Sequence, residues 1–410
     1  MGLLIAYIFK DIMTVCLIVQ FDKPKTKQLS DAVSFAGSED KSEFIILTRV
    51  CVQQGNERMK IAQVAPIEES VPPKYYGGTE RVVSYLTEEL VNLGHDVTLF
   101  ASGDSSTSAQ LVSVNDYSLR LGQSTDSFAY YMLLISEVMK RAEEFDVIHF
   151  HIDYLHFPLS RQLKLPQLTT LHGRLDIPVL QKIYREFYDM PVISISNNQR
   201  MPLPSANWLS TVYNGVPEHI YTFQSVAGKY LAFLGRISPE KGIESAINIA
   251  IRAGMPLKIA AKVDKVDQQY FNDVIKPLLR HPLIEYIGEI NELEKNLFLG
   301  NAYAMLFPID WPEPFGLVMI EAMACGTPTI AYQCGSVPEV ISHGETGLIV
   351  KNVEQALKSV EKIEAIDRHK CRQIFETRFS ARRMANDYAN AYSALIAQKY
   401  ITSGGYVANG

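Results

Sequence analysis

From Met59 onward the chain alternates short apolar runs with amphipathic stretches, the pattern that strands buried on both faces of a parallel sheet make with their covering helices. KIAQVAP (60–66) reads as a first strand. TERVVSYLTEELVNLG (79–94) then places apolar residues three and four apart, a helix closed by Gly94, and DVTLFAS (96–102) is the next strand. FDVIHFH, LTTLHG, PVISIS and STVYNGV supply further strands or strand ends to about residue 216. After a link near 217–228, KYLAFLG (229–235) opens a second series with PEKGIESAINIAIRAG, PLKIAAKV, DQQYFNDVIKPLLR, LIEYIGEI, AYAMLFP, LVMIEAMAC, TPTIAY and GLIV. This rhythm predicts an α/β protein with two Rossmann-like domains, over 59–222 and 223–379, whose ligands bind beyond the carboxyl ends of the strands. FSARRMANDYANAYSALIAQ has helical spacing and predicts a last helix in 380–410.

The first 58 residues do not share this rhythm. MGLLIAYIFKDIMTVCLIVQF is apolar, but Lys10 and Asp11 divide it into two runs, each too short to span a bilayer. It lacks the basic start and small-residue cleavage site of a signal peptide. A polar segment, KPKTKQLSDAVSFAGSEDKSE, and an apolar patch, FIILTRVCV, follow. Residues 1–58 are therefore expected to be an extension outside the folded body, with a membrane-associated extension as the other reading.

Composition adds limits rather than a function. At 410 residues, 47% hydrophobic and 20% charged, the chain suits a soluble two-core protein. A net charge of −6 argues against a dedicated nucleic-acid binder. Cys16, Cys51, Cys325, Cys334 and Cys371 form no CxxC pair, which suits free thiols in a reducing cytoplasm. Membrane association is possible but not indicated.

Candidate chemistry lies where strands give way to helices. In PPKYYGGTE, Gly77 and Gly78 precede Thr79, the expected N-cap, and paired glycines there let a phosphate or sugar approach the backbone. A tight turn is the alternative. In LAFLGRISPEKG, Arg236 and Lys241 follow Gly235 at a strand end, where two cations can grip a diphosphate. In AYAMLFPIDWPEPFGLVMIEAMACG, two prolines hold Glu313 in a loop, Phe315, Gly316 and Leu317 present N–H groups at a helix start, and Glu321 falls about one turn into that helix, where its carboxylate is expected to meet a favourable helix dipole. Two carboxylates facing one cleft suit vicinal hydroxyls. IHFHIDYLHFP alternates His149, His151 and Asp153, so one strand could offer three metal ligands or, from Asp153, contacts to an acceptor. No GxGxxG follows the first strand, which weakens a dinucleotide-dehydrogenase reading.

Glu313 and Glu321 in E-x7-E spacing, GRISPEKG upstream and ACGTPTIAYQCGSVPEVISHGETGLIV downstream together closely resemble the retaining glycosyltransferases of family four, over about 340 residues from Met59. The resemblance implies the GT-B fold, two Rossmann-like domains with parallel sheets facing a central cleft. It implies transfer of a hexose from a nucleotide diphosphate sugar, UDP favoured, to a hydroxyl of a small-molecule, saccharide or lipid acceptor. Carried over, Glu313 would hold sugar hydroxyls, Glu321 the ribose, and Arg236 with Lys241 the diphosphate. His172 in LHGRLD would stand near the donor sugar. The donor is expected in the second domain and the acceptor in the first, with no cofactor and no catalytic metal. The last helix is expected to cross back to the first domain. A phosphorylase or synthase acting on a free saccharide, and a sugar-nucleotide-binding protein without turnover, are the rival readings.

Overall fold

The computed structural model describes residues 2–10, 13–21, 58–74, 77–122 and 126–402. Residues 1–57 and 58–410 form two separate compact units. In the first, Gly2–Lys10 (β1) pairs antiparallel with Met13–Phe21 (β2), from Gly2 opposite Phe21 to Lys10 opposite Met13. The polar segment and the FIILTRVCV patch of the expected extension lie outside the described residues.

The second unit is built on two all-parallel sheets. Lys60–Val64 (β3), Asp96–Phe100 (β4), Gln110–Val112 (β5), Val147–Phe150 (β6), Gln167–Leu171 (β7), Pro191–Ser194 (β8) and Asn207–Thr211 (β9) form a seven-stranded sheet in the order β5-β4-β3-β6-β7-β8-β9. Leu231–Arg236 (β10), Leu257–Lys262 (β11), Ile284–Gly288 (β12), Ala304–Phe307 (β13), Thr329–Tyr332 (β14) and Gly347–Val350 (β15) form a six-stranded sheet in the order β12-β11-β10-β13-β14-β15. Strands such as β3, β6 and β13 are buried along nearly their whole length, which is why they read as apolar runs. In each sheet the order reverses once, at β3/β6 and at β10/β13. Crevices of this kind, where neighbouring loops turn opposite ways, are where open α/β sheets bind ligands.

The helices that matter to the cleft are Gly78–Asn92 (α1), Ile243–Ala253 (α2), Glu292–Gly300 (α3), Leu317–Ala324 (α4) and Ala381–Thr402 (α5). Two boundaries differ from the sequence reading. The N-cap of α1 is Gly77 rather than Thr79, and it makes no side-chain cap bond. The last strand of the first sheet is NWLST rather than STVYNGV, because the chain after Thr211 leaves the sheet toward α5, with Val216 bridging to Ser380.

Helix α5 packs its Tyr388 and Tyr392, both fully buried, against the first domain. Their hydroxyls bond Thr170 at 2.9 Å, and Gln63 and His149 at 2.9 and 2.7 Å. One apolar cluster runs from Met319, Ile320 and Phe375 of the second domain through Phe379 and Met384 to Leu86 and Leu90 of α1. A second tie is polar: Glu339 accepts from the backbone N–H groups of Asn197 and Asn198, at 2.7 Å each, and from the Tyr213 hydroxyl at 3.0 Å. Among the described residues no helix is long and apolar enough to cross a membrane.

Candidate active site

A cavity of about 580 Å³ opens between the two domains at both strand-order reversals. The first domain contributes Gly77, Gly78 and His172, and the second contributes Arg236, Lys241, Glu313, Phe315, Gly316, Leu317 and Glu321. The structure thus brings together the residues singled out from the sequence except His149, His151 and Asp153, of which His151 and Asp153 line an adjoining recess of about 250 Å³. His172 and Thr79 line both spaces.

Two close backbone approaches hold the second domain's half. Gly242 has φ +72°, and a Cβ there would stand 1.9 Å from the Pro308 carbonyl oxygen, so only glycine lets the Lys241 turn lie against the chain leading to Glu313. Gly335 has φ +54°, and its Cβ would lie 2.3 Å from the Glu313 nitrogen. Around that contact, Ser336 N–H donates to the Glu313 carbonyl at 3.0 Å and Ser336 Oγ donates to the Phe315 carbonyl at 2.7 Å. The CGS turn after β14 is therefore the clamp on the acidic loop.

Within this frame Lys241 Nζ donates to Glu313 Oε2 at 2.5 Å, the Trp311 ring nitrogen donates to the same oxygen at 2.9 Å, and the ammonium sits 4.7 Å from the Trp311 ring centroid. Arg236, one turn away, faces Glu240 at 2.5 Å, Asp264 at 3.5 Å and Asp267 at 3.6 Å. Both cations are thus present at the end of β10, each held in place by carboxylates. Helix α4 is capped by Gly316, φ +79°, and Gly316, Leu317 and Val318 at its start line the cavity opposite the start of α1: a Cβ on Gly78 would lie 3.9 Å from Leu317 Cδ1. Two helix amino ends converge on one space, which favours anionic ligands there.

The position of Glu321 has a cause the sequence reading did not supply. It was expected to rest on the dipole of its own helix. It instead accepts from Lys295 Nζ of α3 at 2.6 Å, with only 3% of its side chain exposed and 9% of that of Lys295. Lys295 also reaches Glu292 at 3.1 Å, and Glu292 is bonded by Tyr221 and by Arg81 of α1 across the cleft. Although burial works against its charge, Lys295 and Arg81 hold the Glu292 carboxyl below its ordinary range. Lys295 and Arg81 carried no local signal, since a Lys in an amphipathic helix reads as a solvated face. The capping box of Asn291 and Glu294 does fix the start of α3 and hence its register.

Three histidines of the first domain, His149, His151 and His172, belong to one hydrogen-bonded relay. His149 bonds Tyr392 through Nδ1 and Thr170 through Nε2, both at 2.7 Å. His151 bonds Gln63 Oε1 through Nε2 at 2.8 Å and His172 Nε2 through Nδ1 at 2.9 Å. Every ring nitrogen of His149 and His151 is engaged inside the protein, so the reading of His149, His151 and Asp153 as a shared set of metal ligands gives way to a hydrogen-bonded one. No metal-binding group of three occurs among the described residues. Burial pushes His149 and His151 well below the ordinary histidine range and His172 down to about 3, which favours the neutral form of each ring. Asp153 has φ +50°, a left-handed backbone that Asp tolerates, and is exposed to its recess. Loss of solvation there raises its carboxyl to about 6.

Two Rossmann-like sheets enclosing a cleft are the architecture of the GT-B fold. Residues 224–378 match the family described as Glycosyl transferases group 1, and residues 76–218 match Glycosyltransferase Family 4. Between them the two matches span most of the chain, and the protein belongs to this glycosyltransferase family. It is 26% identical to an uncharacterised glycosyltransferase, MJ1607, of Methanocaldococcus jannaschii, covering 82% of this chain and 98% of the relative. It is 27% identical to the N-acetyl-alpha-D-glucosaminyl L-malate synthase of Bacillus anthracis, covering 77% and 93%. Among solved structures it resembles AviGT4, a glycosyltransferase involved in avilamycin A biosynthesis, with TM-score 0.66, 22% identity and coverage of 83% and 98%. It also resembles Anabaena HepE in complex with UDP-glucose, with TM-score 0.62, 18% identity and coverage of 82% and 100%.

Proposed function

We propose that the protein transfers a hexose from a nucleotide diphosphate sugar, a UDP-hexose first, to an acceptor hydroxyl with retention of anomeric configuration. The observation that carries this reading is the meeting, at the β10/β13 reversal, of Lys241, Glu313, Arg236 and the amino end of α4 in one cavity. The diphosphate lies against Arg236, Lys241 and the N–H groups of Gly316 and Leu317. Glu313 orients sugar hydroxyls, and Glu321, anchored by Lys295, takes the ribose. Glu289 and Ile290, just beyond β12, line the end where the base is read. The acceptor enters from the first domain, with Asp153 in the adjoining recess as its polar contact. The HepE complexes with UDP and with UDP-glucose support the donor class, and the starch synthase IV complex with ADP keeps the base open to test.

Glu313 is engaged by Lys241 and Trp311, and its work is positioning rather than attack. The sugar–oxygen bond to the diphosphate breaks while the acceptor oxygen bonds the same carbon from the same face. The acceptor proton passes to the departing diphosphate oxygen. Charge appearing on that oxygen is met by Arg236, Lys241 and the α4 N–H groups, which is the electrostatic part of catalysis.

The test is release of nucleoside diphosphate from UDP-, GDP- and ADP-hexoses with a panel of acceptors, followed by the anomeric proton coupling of the product. Turnover of one donor class with an unchanged anomeric configuration supports the reading. An inverted product, a glycosyl group trapped on Glu313, or no turnover with any donor overturns it.

A further inference from the structure

The relay behind His172 has a direction, and that direction fixes what the cleft sees. Gln63 on β3 donates its amide N–H to the Tyr392 hydroxyl of α5 at 2.9 Å, which leaves its oxygen to face His151 Nε2 at 2.8 Å. A carbonyl oxygen accepts only, so His151 must carry its proton on Nε2. His151 is a neutral ring, so its Nδ1 is then a bare acceptor, and the His172 Nε2 standing 2.9 Å from it must be the donor. His172 in turn carries its single proton on Nε2, and its Nδ1 is left as a lone pair with no hydrogen-bond partner in the protein among the described residues. His172 is half-buried and lines both the 580 Å³ cavity and the acceptor recess. Gln63 and His151 are 0% and 3% exposed and Tyr392 is fully buried, so neither water nor rotation readily reverses the chain.

We propose that Gln63 and His151, held by Tyr392 of the last helix, are positioning residues that lock His172 as a hydrogen-bond acceptor toward the cleft, selecting a hydroxyl of a neutral sugar and rejecting a carboxylate-bearing sugar. A hydroxyl can donate to the Nδ1 lone pair. A uronate carboxylate brings only acceptors and leaves two lone pairs facing each other. The inference deepens the functional reading above and rests on it for the choice of ligand, but the state of the ring does not.

The experiment has two arms. Long-range proton–nitrogen correlation spectra of the full chain, with His172 assigned from the His172→Gln variant, report the tautomer directly. The Nε2–H tautomer is expected. An Nδ1–H tautomer, or an imidazolium at neutral pH, overturns the proposal. The same spectra of Tyr392→Phe and Gln63→Leu should show a mixture of tautomers, and an unchanged Nε2–H pattern in both removes the relay as its cause. In the second arm the ratio of kcat/KM for a UDP-hexose over the corresponding UDP-uronate should fall about tenfold in Tyr392→Phe, the scale of one neutral hydrogen bond. A ratio unchanged in that variant overturns the selection. If no sugar nucleotide turns over at all, the functional reading fails while the spectra still decide the tautomer.

Discussion

Replacing Lys295 by Met separates the two ways in which Glu321 could be held. If the dipole of α4 were enough, the change would cost little. The structure instead shows a pair at 2.6 Å with both side chains almost fully buried, so Lys295→Met leaves a carboxylate in the protein interior without the cation it is bonded to. Breaking such a pair from one side costs about 3–5 kcal/mol. Glu292 keeps Arg81 and Tyr221, so the loss falls on Glu321. For a domain of this size each kcal/mol shifts the melting temperature by roughly 2–4 °C, so the second domain should melt on the order of 10 °C lower. Calorimetry of Lys295→Met, Glu321→Gln and the double variant at neutral pH gives the measurement. The double variant carries neither charge and should recover most of the loss, giving a coupling of about 2–3 kcal/mol. A melting point within about 2 °C of the parent for Lys295→Met, or singles that simply add in the double, would refute the argument.

Other consequences can be checked separately. Arg236→Ala and Lys241→Ala should each lower kcat by roughly a hundredfold or more, the scale of losing one charge-stabilising donor, whereas Glu321→Ala should mainly raise KM for the donor; equal effects of all three on KM would count against the assignment. Asp153 binds a proton more readily folded than unfolded, so it destabilises the fold as pH rises from about 4 to about 6. Asp153→Asn should therefore be more stable than the parent above that window and equal to it below, as followed by urea titrations at several pH values. Because residues 58–410 form a compact unit of their own, a chain begun at Met59 should fold and keep its turnover, and loss of soluble protein on that truncation would show otherwise.

The sequence by itself determined the two α/β series, the strands that lead to Arg236 and His172, and the spacing of Glu313 and Glu321. These are local matters: buried strands must be apolar, and tight approaches must be glycine or lie between prolines. The cations of GRISPEKG were legible for the same reason, since a shaped loop at a strand end has few other uses. What the sequence could not show is which distant groups answer each charge. Lys295 lies on a helix whose face is chosen only by packing, Gly335 is needed only because the Glu313 backbone passes against it, and the Gln63–His151–His172 relay draws on three strands and the last helix. His149, His151 and Asp153 looked like one face of a strand. Tertiary structure assigned His149 and His151 to buried hydrogen bonds and left Asp153 at the recess, because rings taken that far out of water must find partners for both nitrogens.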